Sequence, residues 1–344
     1  MAFRRSVFCL LSGALLFLGL SSCRQKDVGR GAPAERPIVI AHRGASGYRP
    51  EHTLAAYELA IAMGADYVEP DLVSTRDGVL IARHENEISG TTDVAGRYPE
   101  RRTRKQIDGK WVQGWFTEDF TLQELRTLSA RERLPELRGT QYDGRFPIPT
   151  LLEILDLVRR KSQELGRPIG IYPETKHPTY FASVGLPLEE RLVSALSDAG
   201  LRLPTDPAFI QSFEPWSLRK LRRLTRLRLI LLIDEDGASL ITAAGLREIK
   251  GYADGIGPNK RLIISPGRTP SSLVTAAHAH GLLVHPWTFR REAVFLPPEY
   301  HGDAVAEMAQ FCRLGVDGLF SDFPDLAREA VDSVYGLPGV GLAR

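Results

Sequence analysis

The chain has 344 residues, of which 43% are hydrophobic and 25% charged, and its formal net charge is +2. Those proportions match folded globular chains and exclude a disordered or fibrous polymer for most of the length. Arginine and lysine are interspersed with acidic residues, which leaves no electrostatic footprint for nucleic acid.

Near the N-terminus, Arg4 and Arg5 precede an apolar run from Val7 to Leu20, the layout of an export signal. The run falls short of the roughly 20 residues that a helix needs to cross a hydrocarbon core. Leu20-Ser21-Ser22-Cys23 resembles a bacterial lipoprotein processing site: residues 1–22 would be removed and Cys23 would carry lipid as the mature N-terminus. An exported chain, lipid-anchored to a bacterial membrane and facing the periplasm or exterior, is therefore expected. Cys9 lies in the signal, so only Cys312 remains in the body and no internal disulfide is possible. Residues 24–36, rich in Gly, Pro and charge, read as a tether.

Over residues 37–335, β-rich runs alternate with helical patterns, as in parallel βαβ units. In chain order the pattern predicts a strand at Ile38–Ala41, a helix at Thr53–Met63, strands at Tyr67–Asp71 and Val79–Ala82, and a helix at Leu122–Leu128. A helix at Leu151–Leu165, a strand at Ile169–Pro173 and a helix at Leu188–Ala199 come next. Strands at Phe209–Gln211, Leu229–Ile233, Asp254–Ile256, Leu282–Pro286 and Gly318–Phe320 then interleave with helices at Ser217–Leu224, Ser272–Ala279, Val305–Leu314 and Asp325–Val331. Nine strands compete for the eight places of a closed barrel, and the sequence alone does not say which lies outside. An α/β fold of the TIM-type (β/α)8 class is expected over an open doubly wound sheet, because no Gly-rich phosphate fingerprint follows the first strand. The irregular segment at about 88–149 carries Trp111, Trp115, Phe116, Tyr142 and Phe146, and reads as a small cap inserted at one end of the barrel.

Ionisable residues gather where strands should end, which is where barrels of this class build their sites. Glu69 and Asp71 stand two apart on a strand and share one face. With Glu174 from another strand they make three crowded carboxylates, which must take up protons or hold a cation. Their hard oxygens favour one divalent ion, Ca2+ or Mg2+. His42 and His84 suit the removal of one proton and the delivery of another near neutral pH. Arg43 and Lys176 supply positive charge for phosphate oxygens. His177, His278, His280, His285 and His301 read as structural. A cation, two imidazoles and two basic side chains fit phosphoryl transfer better than acyl transfer, for which there is no Gly-x-Ser-x-Gly elbow.

Ala41-His42-Arg43-Gly44, Pro50-Glu51-His52-Thr53, Glu69-Pro70-Asp71, His84 and Tyr172-Pro173-Glu174-Thr175-Lys176 together resemble the glycerophosphodiester phosphodiesterase family, in particular its periplasmic bacterial branch. Ala253-Asp254-Gly255-Ile256-Gly257-Pro258, Val284-His285-Pro286-Trp287-Thr288 and Gly318-Leu319-Phe320-Ser321-Asp322-Phe323-Pro324 extend the likeness from about Pro37 to Leu326. The resemblance implies metal-dependent hydrolysis of a small-molecule glycerophosphodiester to glycerol 3-phosphate and an alcohol. The substrate's own hydroxyl would attack phosphorus to give a cyclic phosphate that water then opens. It also implies that His42 and His84 form the acid/base pair, that Glu69, Asp71 and Glu174 hold the metal, and that Arg43 and Lys176 meet the phosphate. Glu51 reads as a residue of the substrate pocket that braces the His42-Arg43 loop, with Phe213 and Trp287 as walls for the glycerol. Two departures stand out: Glu85 follows His84 where aspartate is common, and Thr175 replaces an apolar residue. Two rival functions are a non-catalytic ligand-binding lipoprotein and a barrel phosphodiesterase that cleaves phospholipid or phosphoinositide.

Overall fold

The computed structural model describes residues 36–267 and 269–336. The expected signal, Cys23 and nearly all of the tether lie outside them. Among the described residues no helix is long and apolar enough to cross a membrane.

Eight strands run parallel around a closed barrel. The first is Ile38–His42, and the second comes in two pieces, Tyr67–Glu69 and Asp71–Ser74. The third is likewise split into Gly170–Ile171 and Glu174–Thr175. Phe209–Ser212, Arg228–Ile233, Gly255–Pro258, Leu283–Val284 and Gly318–Ser321 complete the set. Each neighbouring pair is parallel, from Ile40 opposite Tyr67 round to Ile256 opposite Val284. The ring closes where Asp317 N donates to Val284 O at 2.9 Å and Phe320 N to Pro286 O at 3.1 Å. The splits fall at Pro70 and Pro173, whose missing N–H interrupts the ladder at those points.

The ninth predicted strand is the one outside the ring. Leu80–Ala82 turns back antiparallel on the second barrel strand, with Leu72 opposite Ala82. His84 is therefore carried by a return hairpin that lies outside the barrel ring. A helix at Ala243–Lys250 escaped prediction because only Leu246 and Ile249 of its eight residues are buried, too few to show a period.

The barrel interior is an aromatic plug of Ile40, Tyr67, Tyr172, Phe209, Ile230 and Phe320. Alternate residues such as Val39, Ala41 and Val68 point outward into the larger core beneath the helices. This period of two places the site. Two residues beyond each plug residue come, in turn, His42, Glu69, Glu174, Gln211, Leu232 and Asp322, so each shares its plug partner's inward face at the mouth.

The segment at 88–149 is ordered by its own contacts. A hairpin pairs Thr103–Ile107 with Lys110–Gly114. Ile88, Val94, Phe120, Leu125, Leu128 and Ile148 join the outer core.

Candidate active site

The first strand ends in a turn with two left-handed residues, Arg43 at φ 60° and Gly44 at φ 88°. A Cβ on Gly44 would sit 2.7 Å from the backbone of Ala56, so glycine is required there on both counts. The turn aims Arg43 N at Glu69 Oε2, 2.8 Å away, while its guanidinium donates to Glu51 at 3.1 Å and lies 3.3 Å from Asp71 Oδ2.

Glu69, Asp71 and Glu174 are buried and offer oxygens that all lie within 4.8 Å of one another. Burial raises the Glu69 carboxyl well above its ordinary range, and the charges of Asp71 and Glu174 add to the effect. Glu174 is pushed up to about 8 by burial and by Asp71, against the opposing pull of Lys176 at 2.9 Å. Burial also acts upward on Asp71, but His52, Arg43 and Lys176 outweigh it and hold this acid well below its ordinary value. Without a counter-ion Glu69 and Glu174 hold protons that separate carboxylates would lose, and a bound divalent cation would take their place. The donor set is all oxygen, with Gln211 Nε2 donating to Glu69 Oε1 at 3.0 Å from behind. These residues fit a hard divalent ion.

His42 and His84 open onto one cavity of about 210 Å³, together with Arg43, Glu69, Glu174, Gln211, Phe213 and Trp287. His42 Nδ1 meets Asp322 Oδ1 at 2.6 Å, which fixes the ring and leaves Nε2 for the cavity. Burial and Arg43 lower His42 to about 4 despite Asp322. His84 falls to about 3 through burial, Arg43 and Lys176, with Glu85 opposing. Its Nε2 lies 3.4 Å from Lys176 Nζ. Phe213 and Trp287 pack edge to face, with centroids 5.7 Å apart, along the same wall.

Glu51 departs from expectation as a pocket residue. It is 5% exposed and sits behind Arg43, with its oxygens taken by Arg43 and by a two-point contact from Arg133, so it braces the loop without lining the cavity. His285 is structural: it is buried in the barrel with Nδ1 2.8 Å from Tyr172 Oη. Sequence reasoning gave no role to three residues. Asp322, which also receives Arg138 at 2.6 Å and Arg290 at 2.7 Å, orients His42. His52 bridges Tyr57 Oη at 2.8 Å and Asp71 Oδ2 at 2.9 Å. Gln211 is the third. Asp322 and Gln211 each stand two residues past a plug aromatic, and that spacing was a usable signal.

A barrel with buried carboxylates, two imidazoles and basic groups gathered around one mouth has the groups that phosphoryl transfer uses. The chain matches the Glycerophosphoryl diester phosphodiesterase family over residues 42–326. It is 39% identical to glycerophosphodiester phosphodiesterase GDPD6 of Arabidopsis thaliana, covering 91% of this chain and 94% of that protein. Glycerophosphodiester phosphodiesterase of Bacillus subtilis is 32% identical, with coverages of 93% and 95%. The corresponding protein of Haemophilus influenzae is 30% identical, with coverages of 86% and 90%. The likeness thus extends to a plant relative and is not confined to the bacterial branch. In fold the chain is similar to a glycerophosphodiester phosphodiesterase from Agrobacterium tumefaciens, with TM-score 0.58, 20% identity and coverages of 85% and 98%. It is also similar to an Oleispira antarctica phosphodiesterase solved with the product sn-glycerol-3-phosphate, with TM-score 0.59, 22% identity and coverages of 86% and 97%. The chain belongs to the glycerophosphoryl diester phosphodiesterase family.

Proposed function

We propose that this protein hydrolyses glycerophosphodiesters to glycerol 3-phosphate and an alcohol, with one Ca2+ or Mg2+ held by Glu69, Asp71 and Glu174 and with His42 and His84 moving the protons. The observation that carries this reading is a cluster of three buried carboxylates within 4.8 Å of one another, two of which, Glu69 and Glu174, line the cavity onto which both imidazoles open. When bound, the cation supplies positive charge that polarises a phosphoryl oxygen.

The chain's own groups do the rest. Arg43 and Lys176 hold the non-bridging oxygens of the diester. One imidazole takes the proton of the attacking glycerol hydroxyl while the other gives a proton to the departing alcohol oxygen; water then opens the cyclic phosphate to glycerol 3-phosphate with the two roles exchanged. In the free protein both rings are neutral at pH 7, given their lowered values. A phosphodiester anion entering the cavity stabilises an imidazolium, so that one ring of the pair carries the proton in the complex. Phe213 and Trp287 shelter the carbon skeleton of the glycerol.

Release of glycerol 3-phosphate from glycerophosphocholine tests the proposal. Activity is expected to vanish with chelator, return with Ca2+ or Mg2+, and be lost in His42→Ala. A metal-loaded wild type that is inactive across a panel of glycerophosphodiesters would refute it.

The same proposal extends to location. Arg4, Arg5, the apolar run and Cys23 support export and lipid attachment to a bacterial membrane. Labelling of the wild type but not of Cys23→Ala by a fatty-acid probe in a bacterial host is the expected result, and equal labelling of both would contradict it.

A further inference from the structure

We infer that Asp108, at the tip of the inserted hairpin, positions His84 through His177 and Glu85, which makes the insertion part of the support for proton transfer. This rests on His84 acting as proposed above.

Two hydrogen bonds and one close charge contact make the path. Asp108-Gly109 forms the two-residue turn between the hairpin strands, with φ of 47° and 81°, the left-handed pair that the twist of a tight hairpin demands. Asp108 Oδ2 lies 2.5 Å from His177 Nδ1. His177 Nε2 lies 2.9 Å from Glu85 Oε2, and the other Glu85 oxygen is 2.7 Å from His84 Nδ1, a close charge contact that lies off the line of an N–H hydrogen bond. Four side chains from three separate stretches of sequence therefore connect the hairpin tip to a ring that faces the reaction cavity.

Chemistry gives each link a direction. A carboxylate only accepts, so an imidazole between two carboxylates donates from both nitrogens and carries a positive charge. Burial alone would lower the basicity of His177, but Glu85 and Asp108 raise it above its ordinary value. His177 thereby fixes Glu85, a side chain 39% exposed that would otherwise sample several rotamers. A Glu85 carboxylate fixed 2.7 Å from Nδ1 favours, through its negative charge, the tautomer with the proton on Nδ1, and Nε2 is left as the acceptor 3.4 Å from Lys176 Nζ. The backbone at His177 is consistent with this. At φ 47° it adopts a left-handed conformation that costs a side-chain-bearing residue energy and persists where the surroundings over-determine it.

A merely structural clamp predicts loss of stability. A positioning chain predicts loss of turnover in a protein that still folds and still binds substrate. In the full-length enzyme acting on glycerophosphocholine, Asp108→Asn and His177→Gln should each lower kcat by roughly three- to tenfold, with KM within about twofold and Tm unchanged. Because the two act in series, the double variant should be no slower than His177→Gln alone. Glu85→Asp, one methylene shorter, cannot serve both rings and should fall between wild type and Glu85→Gln. Independently of turnover, nitrogen-15 spectra of the histidine rings should show His84 protonated at Nδ1 in the wild type, and a mixture of tautomers in Asp108→Asn. An active wild type whose kcat is unmoved by Asp108→Asn and His177→Gln overturns the inference and leaves the proposed function standing. If the wild type shows no turnover, that result counts against the proposed function, and His84 spectra identical in wild type and Asp108→Asn overturn the inference by themselves.

Discussion

His42 Nδ1 and Asp322 Oδ1 lie 2.6 Å apart although 280 positions separate them in the chain. One ends the first barrel strand and the other follows the eighth, so closure of the ring creates the contact. Asp322 is held by Arg138 and Arg290 as well, and the combined effect of these cations and His42 overcomes burial to keep it ionised. Asp322→Asn should therefore leave the fold intact but free the His42 ring to take the wrong tautomer. Loss of roughly 10- to 100-fold in kcat with little change in KM is expected from steady-state kinetics.

Removal of a metal ligand should separate binding from folding. Thermal denaturation of the wild type should shift upward on adding Ca2+ or Mg2+, because an ion that binds only the folded state stabilises it by mass action. Glu69→Gln and Glu174→Gln should lose that shift and the activity together. In the absence of metal they should be as stable as wild type or more so, since each removes crowding among buried carboxylates.

Arg83 is fully buried and donates to four backbone carbonyls, those of Ala82, Thr91, Glu51 and His52. These bonds pin the Pro50-Glu51-His52-Thr53 loop against the hairpin that carries His84. Truncation strands several buried acceptors at once, so Arg83→Ala should cost about 3–5 kcal/mol in denaturant unfolding. Lysine offers a point charge in place of a planar fork and should not restore the loss.

His285 contributes a pH dependence to stability. Burial, with the nearby Arg228, lowers it to about 3, whereas the unfolded chain has the ordinary value of 6.5. Below pH 6.5 the unfolded state takes up a proton that the folded state refuses. Stability therefore holds above pH 6.5 and falls as the pH drops toward 3, by at most about 1.4 kcal/mol per pH unit from this one site. Urea titrations of His285→Gln should show a shallower acid limb than wild type. Some loss at pH 8 is also expected, because Tyr172 Oη would lose its partner.

Much of this was legible in the residues. His42, Glu69, Asp71 and Glu174 could be found because hydrophobic runs are interrupted at charged residues, and a period of two puts Glu69 and Asp71 on one face. The strand at Leu80–Ala82 looked like the others because antiparallel and parallel strands have the same side-chain alternation; only pairing tells them apart. Glu51 looked like a pocket residue because it lies near His42 and Arg43 in the chain, yet Arg133, 82 positions away, holds its oxygens. His177 read as structural for a similar reason. Its partners Glu85 and Asp108 are 92 and 69 positions distant, and no local pattern announces such a chain.

One divalent ion and one phosphorus atom are expected to share the cavity between His42 and His84. A crystal soaked with Mn2+ and glycerol 3-phosphate, measured at the manganese absorption edge, addresses this directly. One strong anomalous peak is expected among Glu69, Asp71 and Glu174, with the phosphate beside it and within hydrogen-bonding reach of both imidazoles. Anomalous density that avoids those three carboxylates, or phosphate bound away from the two histidines, would contradict it.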